Sequence, residues 1–112
     1  MRSQDPPEPV PIACNPNAIA PAERAHYRQL VNRLRAAIRD RAEIDNGFHY
    51  HLDSASITLP ELAEWIALER LCCPFLTFHL SVSAEPDWRL SLAGPPGVKP
   101  LLDAEFRAGA PQ

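Results

Sequence analysis

The feature that most constrains this chain is a helical repeat that ends in two adjacent cysteines and a proline. Apolar side chains between residues 59 and 73 recur at helical spacing, and Pro74 disfavours helical geometry in the residue before it. A helix there places positions 62, 65, 66, 69, 72 and 73 on one side. Glu69 therefore lies on an apolar face, one turn before Cys72 and Cys73. A carboxylate in that position is typical of a functional site or a buried ion pair.

The other patterns predict a small α+β domain with the element order α-β-α-β-β-α. The chain begins with a helix from Pro21 to about Asp40 and a strand over residues 48–52 after an Asp-Asn-Gly turn. The helix over residues 59–73 comes next, followed by a hairpin over residues 75–92 and a final helix over residues 100–106. We expect a two-layer structure, a three-stranded sheet with the helices on one face. The first two strands are predicted to run parallel, because a helix joins them, and the last two antiparallel.

Prolines mark the boundaries of this domain. Residues 1–20 read as a proline-rich arm that carries Cys14, residues 21–108 as a single domain and residues 109–112 as a tail. The chain has 112 residues, which is enough for one hydrophobic core.

Charge and hydropathy exclude several classes of partner. The net charge of −3 and the lack of a basic cluster argue against nucleic acid. No run approaches the ~20 apolar residues of a membrane span, and the first residues lack the apolar core of a secretion signal. We therefore expect a cytoplasmic protein. Acidic residues accompany the arginines that concentrate on and just after the first predicted helix, among them Arg24, Arg28, Arg35, Arg39 and Arg41.

The cysteines are the strongest chemical signal. With three cysteines at least one thiol is unpaired in the monomer, and a reducing compartment would leave all three free. Three thiolates suit a trigonal mercuric or arsenite site, or a zinc site completed by Glu69, a histidine or water. Such a site requires Cys14 to fold back onto Cys72 and Cys73. The alternative is that the adjacent pair is buried packing and Cys14 a surface thiol.

Thiol chemistry without a metal is disfavoured by the position of the pair. A helix C-terminus and Glu69 both oppose a thiolate, and only Arg70 is near in sequence to favour one. A disulfide between Cys72 and Cys73 would close a cramped ring. Glu69 is a proton acceptor, a metal ligand, or the partner of an arginine on the first helix.

Three histidines occupy the polar face of the predicted sheet. His49, His51 and His79 either converge as a three-nitrogen site or lie exposed at a surface. If that face is open, it meets water or a second copy of the chain.

Cys14, the strand that begins at Gly47, the Glu69-x-x-Cys72-Cys73-Pro74-Phe75 segment and a closing stretch from Gly94 to Lys99 together resemble a family. It is a group of small bacterial proteins without an assigned activity, marked by a Glu-x-x-Cys-Cys-Phe signature and found alone or beside mercury-responsive regulators. The resemblance covers residues 12–106. It implies a heavy-metal or metalloid role, a metal-responsive regulator as partner, and Cys14, Glu69, Cys72 and Cys73 as the site.

These observations favour a protein that binds mercury, arsenite, copper or zinc through Cys14, Cys72 and Cys73, as a sensor, carrier or detoxification accessory. Glu69 would be a supplementary ligand or a base, and no organic cofactor is expected. The first alternative is a thiol-dependent enzyme acting on an organometal or redox substrate, with Glu69 as proton acceptor. The second is a dimerising interaction module with structural cysteines.

Overall fold

The computed structural model describes residues 12–84 and 87–106. These residues form three α-helices and a four-stranded antiparallel sheet, preceded by short 3₁₀ turns at Pro16–Ala18 and Pro21–Glu23. In chain order the elements are α1 (Arg24–Ala37), β1 (Ile38–Ile44), β2 (Gly47–Asp53), α2 (Leu59–Cys72), β3 (Thr77–Ser81), β4 (Asp87–Ala93) and α3 (Val98–Glu105). The α+β class is confirmed. The expected three strands and the order α-β-α-β-β-α are wrong, because a further strand follows the first helix.

That further strand, β1, begins at Ile38, where the first helix was expected to continue to about Asp40. The helix ends at Ala37, and residues 38–44 pair antiparallel with β2 across a turn in which Asn46 has φ 58°. The segment is an edge strand with mostly exposed charged side chains, so it lacks the apolar alternation that marks a half-buried strand. Arg39 and Arg41 therefore belong to the sheet and not to the helix.

Arg41 shows how the sheet accommodates a cation on its inner side. It pairs with Tyr50 across β1 and β2, so both side chains lie on the same face. Its guanidinium lies 4.3 Å from the centre of the Phe48 ring and donates to Asp103 of α3 at 2.5 Å. The cation is thus held by an aromatic ring and a carboxylate.

The strand order is β1-β2-β4-β3, with every neighbouring pair antiparallel. Since β2 and β3 are each antiparallel to β4, they do run in the same direction. They are not neighbours, however, because β4 lies between them. The prediction of a parallel pair on either side of a helix crossover is therefore corrected.

The core lies between the helices and one face of this sheet. Aromatic contacts connect the layers, with the Trp65 ring 5.7 Å from both Phe78 and Phe106. The buried apolar side chains of β2 and β4 in this core are Phe48, Tyr50, Leu52, Leu90 and Leu92. Leu80 and Val82 are 37% and 44% exposed because they lie on or just beyond the edge strand β3.

Helix α2 has close to the expected ends and most of the expected buried face, although Ile66 is only half-buried and Leu68 is buried in addition. The Thr58 hydroxyl accepts from the Glu61 backbone N–H, and the Glu61 carboxylate accepts from the Thr58 backbone N–H, which forms a capping box. The helix ends at Cys72, and Cys73 leaves helical geometry with φ −125° and ψ 73° before Pro74. The residues buried along it are Leu62, Trp65, Leu68, Glu69 and Cys72.

The described part of the N-terminal arm packs against the end of α2. Ile19 is fully buried, and the Asn15 backbone N–H donates to the Cys72 carbonyl at 2.8 Å. The first residues of the predicted arm and the predicted tail lie outside the described residues. Within residues 12–84 and 87–106, no helix has the length and apolar character needed to cross a membrane.

Candidate functional site

The arm brings Cys14 to the two cysteines at the end of α2. Cys14 and Cys73 form a disulfide with their Cα atoms 4.6 Å apart, and Cys72 is a buried free thiol. The Sγ atoms of all three cysteines lie within 4.8 Å of one another. The sequence left open whether Cys14 reaches the pair, and the structure shows that it does.

This pairing avoids the cramped ring that a disulfide between Cys72 and Cys73 would close. The bond joins residues 59 positions apart, so it ties the arm to the end of α2 instead of closing a ring within the helix end. Cys73 can turn towards the arm because it has left helical geometry, while Cys72 still belongs to the helix. Of the two adjacent cysteines, Cys73 is therefore bonded to the arm and Cys72 is a free thiol.

Glu69 lies directly behind the disulfide. Its side chain is fully buried, and its Oε1 accepts a hydrogen bond from the Tyr27 hydroxyl of α1 at 2.5 Å. Its Oε2 lies 3.3 Å from Cys73 Sγ. The first helix therefore supplies a tyrosine, and not the arginine that the sequence suggested, as the hydrogen-bond partner. Arg35 acts on this carboxyl through its charge.

Burial is the main influence on the proton affinity of Glu69. Loss of hydration raises the pKa of this carboxyl from 4.5 to about 7. The hydrogen bond from Tyr27 lowers the pKa, the nearby carboxyl of Glu105 raises it and the positive charge of Arg35 lowers it. Near neutral pH the carboxyl is therefore able both to accept and to donate a proton.

The free thiol of Cys72 is held in its neutral form. Burial raises its pKa first, and the negative charges of Glu69 and Glu105 raise it further. This agrees with the sequence argument that a thiolate at a helix C-terminus, close to a carboxylate, is disfavoured. A bound cation reverses that preference, because a coordinated thiol loses its proton.

A cavity of about 530 Å³ opens beside the cysteines. Its wall is largely one face of α1, closed by the arm, the end of α2 and the end of α3. The lining residues are Cys14, Pro16, Tyr27, Arg28, Val31, Asn32, Arg35, Cys72 and Glu105. Cys73 is not among them and is fully buried.

Sequence reasoning missed the residues that α1 and α3 contribute to this site. Neither Tyr27 nor Glu105 was considered as part of it. The signal for Tyr27 was present, because a carboxylate buried on an apolar face needs a donor and this phenol lies on the facing helix. Nothing in the sequence pairs Glu105 with the cysteines.

The donor atoms suit a soft cation once the disulfide is reduced. Within the described parts of the chain, the candidate metal-binding groups are Cys14 with Cys72 and Cys73, and Cys14 with Glu69 and Glu105. Zinc–thiolate bonds of about 2.3 Å place neighbouring ligand sulfurs about 3.8 Å apart, so the cluster needs only small movements of Cys72 and a separation of the bonded pair. The three residues fit such an ion as thiolates, and not in their disulfide form.

The three histidines do not form a second group of this kind. The ring of His49 hydrogen-bonds with Ser91, and His51 Nδ1 lies 2.5 Å from Asp40 Oδ1. His79 is exposed on the edge strand. Neither metal-binding group found in the described residues contains a histidine.

Comparison of the chain with protein-family models, with curated proteins and with solved structures gives no match. The site is therefore interpreted from its own residues. Its defining features are a three-sulfur cluster, a buried carboxyl behind one sulfur, and a cavity in front of the other two.

Proposed function

We propose that the reduced protein binds a thiophilic metal or metalloid ion through Cys14, Cys72 and Cys73. The observation that carries the proposal is the approach of the three sulfurs to within 4.8 Å of one another, although one of them comes from the arm. Glu69 would lie against the ligand set as the group that receives a thiol proton when the ion binds. The expected cargo is Hg(II), arsenite, Cu(I) or Zn(II), which favour sulfur ligands.

The disulfide gives this proposal a redox condition. Cys14 and Cys73 are available as thiolates only after their bond is reduced, so the oxidised protein has a single thiol for the ion. Binding is therefore expected in the reduced state alone. Sensing, carriage and detoxification would all use this reduced form.

The test is an anaerobic titration of fully reduced, desalted protein with each of the four ions. Sulfur-to-metal absorbance and the number of reactive thiols are followed together, and because the chain has only three cysteines every protected thiol belongs to the cluster. We expect one ion per chain and three protected thiols. Single Cys→Ser variants at 14, 72 and 73 each lose part of the absorbance, and circular dichroism verifies that they remain folded.

The oxidised protein is the matched control, since it has the same sequence with two of the sulfurs joined. If the reduced wild type gives no saturable absorbance and its thiols react at the same rate with and without each ion, the metal proposal is wrong. Binding that survives in Cys14→Ser with an unchanged stoichiometry would remove the arm from the ligand set.

The disulfide itself favours a second candidate, thiol-dependent redox catalysis. A carboxyl 3.3 Å from the buried sulfur could transfer a proton to or from Cys73 as the bond opens and closes. Turnover separates the two candidates: a catalyst would process many equivalents of a disulfide or organometal substrate per chain, whereas a metal-binding protein saturates at one ion.

A further inference from the structure

The cavity in front of the cysteines has a charge pattern that the metal proposal does not use. On its α1 wall, Arg28, Asn32 and Arg35 follow one another one turn apart and line the same space as Cys14 and Cys72. Two guanidinium groups beside the sulfur ligands contribute nothing to the binding of a bare metal ion. The wall is suited to an anion that approaches the sulfurs.

Arg28 and Arg35 differ in the groups that they contact. Arg35 Nε donates to the backbone carbonyl of Glu105 at 2.7 Å, and its charge also acts on the Glu105 carboxyl. Arg28 is exposed at the cavity wall and, within the described residues, has no hydrogen-bond or ion-pair partner. Glu105 is the one carboxylate among the lining residues, and its partner is Arg35. Arg28 is therefore available to bind the carboxylate of a ligand.

The two sulfurs of the disulfide are unequally accessible from this space. Cys14 is half-buried and lines the cavity, whereas Cys73 is fully buried and does not. Thiol–disulfide exchange begins with attack of a thiolate on one sulfur and departure of the other. An attacking group in the cavity therefore meets Cys14, and Cys73 is the leaving group.

We propose that the cavity binds a small thiol that carries a carboxylate, and that this thiol reduces the Cys14–Cys73 disulfide. This inference rests on the proposed function, because it names what returns the cluster to its metal-binding form. Cavities of roughly 300–1,000 Å³ hold small molecules, and this one, at about 530 Å³, suits such a thiol and not a folded protein reductant.

The reaction balances with two molecules of the thiol, RSH. The first, as thiolate, forms a bond to Cys14 Sγ and breaks the bond to Cys73, which leaves as a thiolate. The second thiolate attacks the RS sulfur of the mixed disulfide and releases Cys14. The products are RSSR and two cysteine thiols, which take up the two protons that the RSH molecules gave. The small thiol supplies both electrons.

The first test compares three small thiols as reductants of the oxidised full chain: mercaptoacetate, which is anionic, 2-mercaptoethanol, which is neutral, and cysteamine, which is cationic. Acid quenching, alkylation and mass measurement follow the loss of the disulfide. Each rate for wild type is divided by the rate for Arg28→Glu, so that the intrinsic reactivity of each thiol cancels. Arg89→Glu is the control, with the same charge change at an exposed position outside the cavity lining.

For Arg28→Glu we expect the rate of reduction by mercaptoacetate to fall about 10-fold. The lost attraction to the arginine and the added repulsion by the glutamate each account for a few-fold, as for a partly exposed pair of charges. Reduction by 2-mercaptoethanol should be unchanged, and reduction by cysteamine should be faster. Equal ratios for all three thiols would overturn the inference, as would an equal effect of Arg89→Glu, which would mean that only the overall charge matters.

The second test locates the attack. In oxidised Cys72→Ser, which cannot shuffle its disulfide internally, the mixed disulfide with mercaptoacetate is expected on Cys14, with Cys73 free. Its appearance on Cys73 would reverse the assigned direction.

The metal titration is independent of both tests, because it uses protein reduced by a phosphine and contains no small thiol. Arg28→Glu reduced in that way is expected to bind the ion as wild type does. Equal wild-type-to-variant rate ratios for the three thiols, together with intact metal binding, would overturn only the thiol inference. Charge-dependent ratios without any metal binding would overturn only the metal proposal.

Discussion

Replacing Glu69 by glutamine is expected to remove a pH dependence of stability that this one carboxyl creates. Burial raises its pKa in the folded protein to about 7, above the value of 4.5 for an unperturbed glutamate. Between these two pH values the unfolded chain releases the proton and the folded protein retains it, so the free energy of unfolding falls as the pH rises. The difference in proton affinity corresponds to about 3 kcal/mol, since a tenfold change is worth about 1.4 kcal/mol.

The measurement is urea denaturation of the oxidised, metal-free protein at closely spaced pH values from acid to mildly alkaline. The difference in unfolding free energy between Glu69→Gln and wild type is expected to rise by about 3 kcal/mol from below pH 4.5 to above pH 7 and then to level off. Glutamine resembles the protonated acid and can still accept from Tyr27, so the variant is the more stable one at alkaline pH. Glu23→Gln, at an exposed carboxylate before α1, is the control and should run parallel to wild type.

Parallel curves for Glu69→Gln and wild type would refute this reasoning. They would mean that the carboxyl titrates alike in the folded and unfolded states, so that Tyr27 and Arg35 compensate for its lost hydration. A variant that is less stable throughout, with an unchanged slope, would indicate a packing defect in place of a titration effect.

Three further outcomes are expected in the same assay. Tyr27→Phe removes the donor to Glu69 and is expected to cost about 1–3 kcal/mol, more at pH 8 than at pH 5, because a bond to a charged group is the stronger one; an equal cost at both would contradict this. Gly47→Ala would place a Cβ against the Leu92 carbonyl oxygen in the β2–β4 pair and is expected to cost about 1–3 kcal/mol, and a neutral result would mean that the strands separate easily. Reduction of the disulfide, which joins residues 59 positions apart, is expected to cost about 4 kcal/mol, with Cys14→Ser showing no response to reductant.

Helix α2 could be predicted closely because its signals are local. The capping box at Thr58, the apolar spacing and Pro74 all act within a few residues of the positions that they define. The burial of Glu69 followed from the same periodicity. What the helix would meet depended on other elements, and Tyr27 was therefore not assigned to the site.

Strand β1 could not be predicted by the same means, because its pairing and not its side chains makes it a strand. Its residues are charged and largely exposed, and only the partner β2 across the Asn46 turn gives them a place in the sheet. The turn itself was predicted, but an edge strand needs no apolar alternation. The predicted strand order was wrong for a related reason. A helix between two strands indicates that the strands run in the same direction, but it does not exclude a third strand between them.

The disulfide and the proposed metal site are two ways of fixing the same arm to the same helix end. In the oxidised protein the bond limits the unfolded chain and contributes about 4 kcal/mol. On the proposed function, an ion at about 1,000 times its dissociation constant would restore a similar amount to the reduced protein. This holds only if Cys14 is a ligand. Cys72 and Cys73 are adjacent in the chain and are equally close when it is unfolded, so an ion held by that pair alone would bind both states and stabilise neither over the other. Denaturation of reduced protein with and without the ion therefore measures whether the arm belongs to the site.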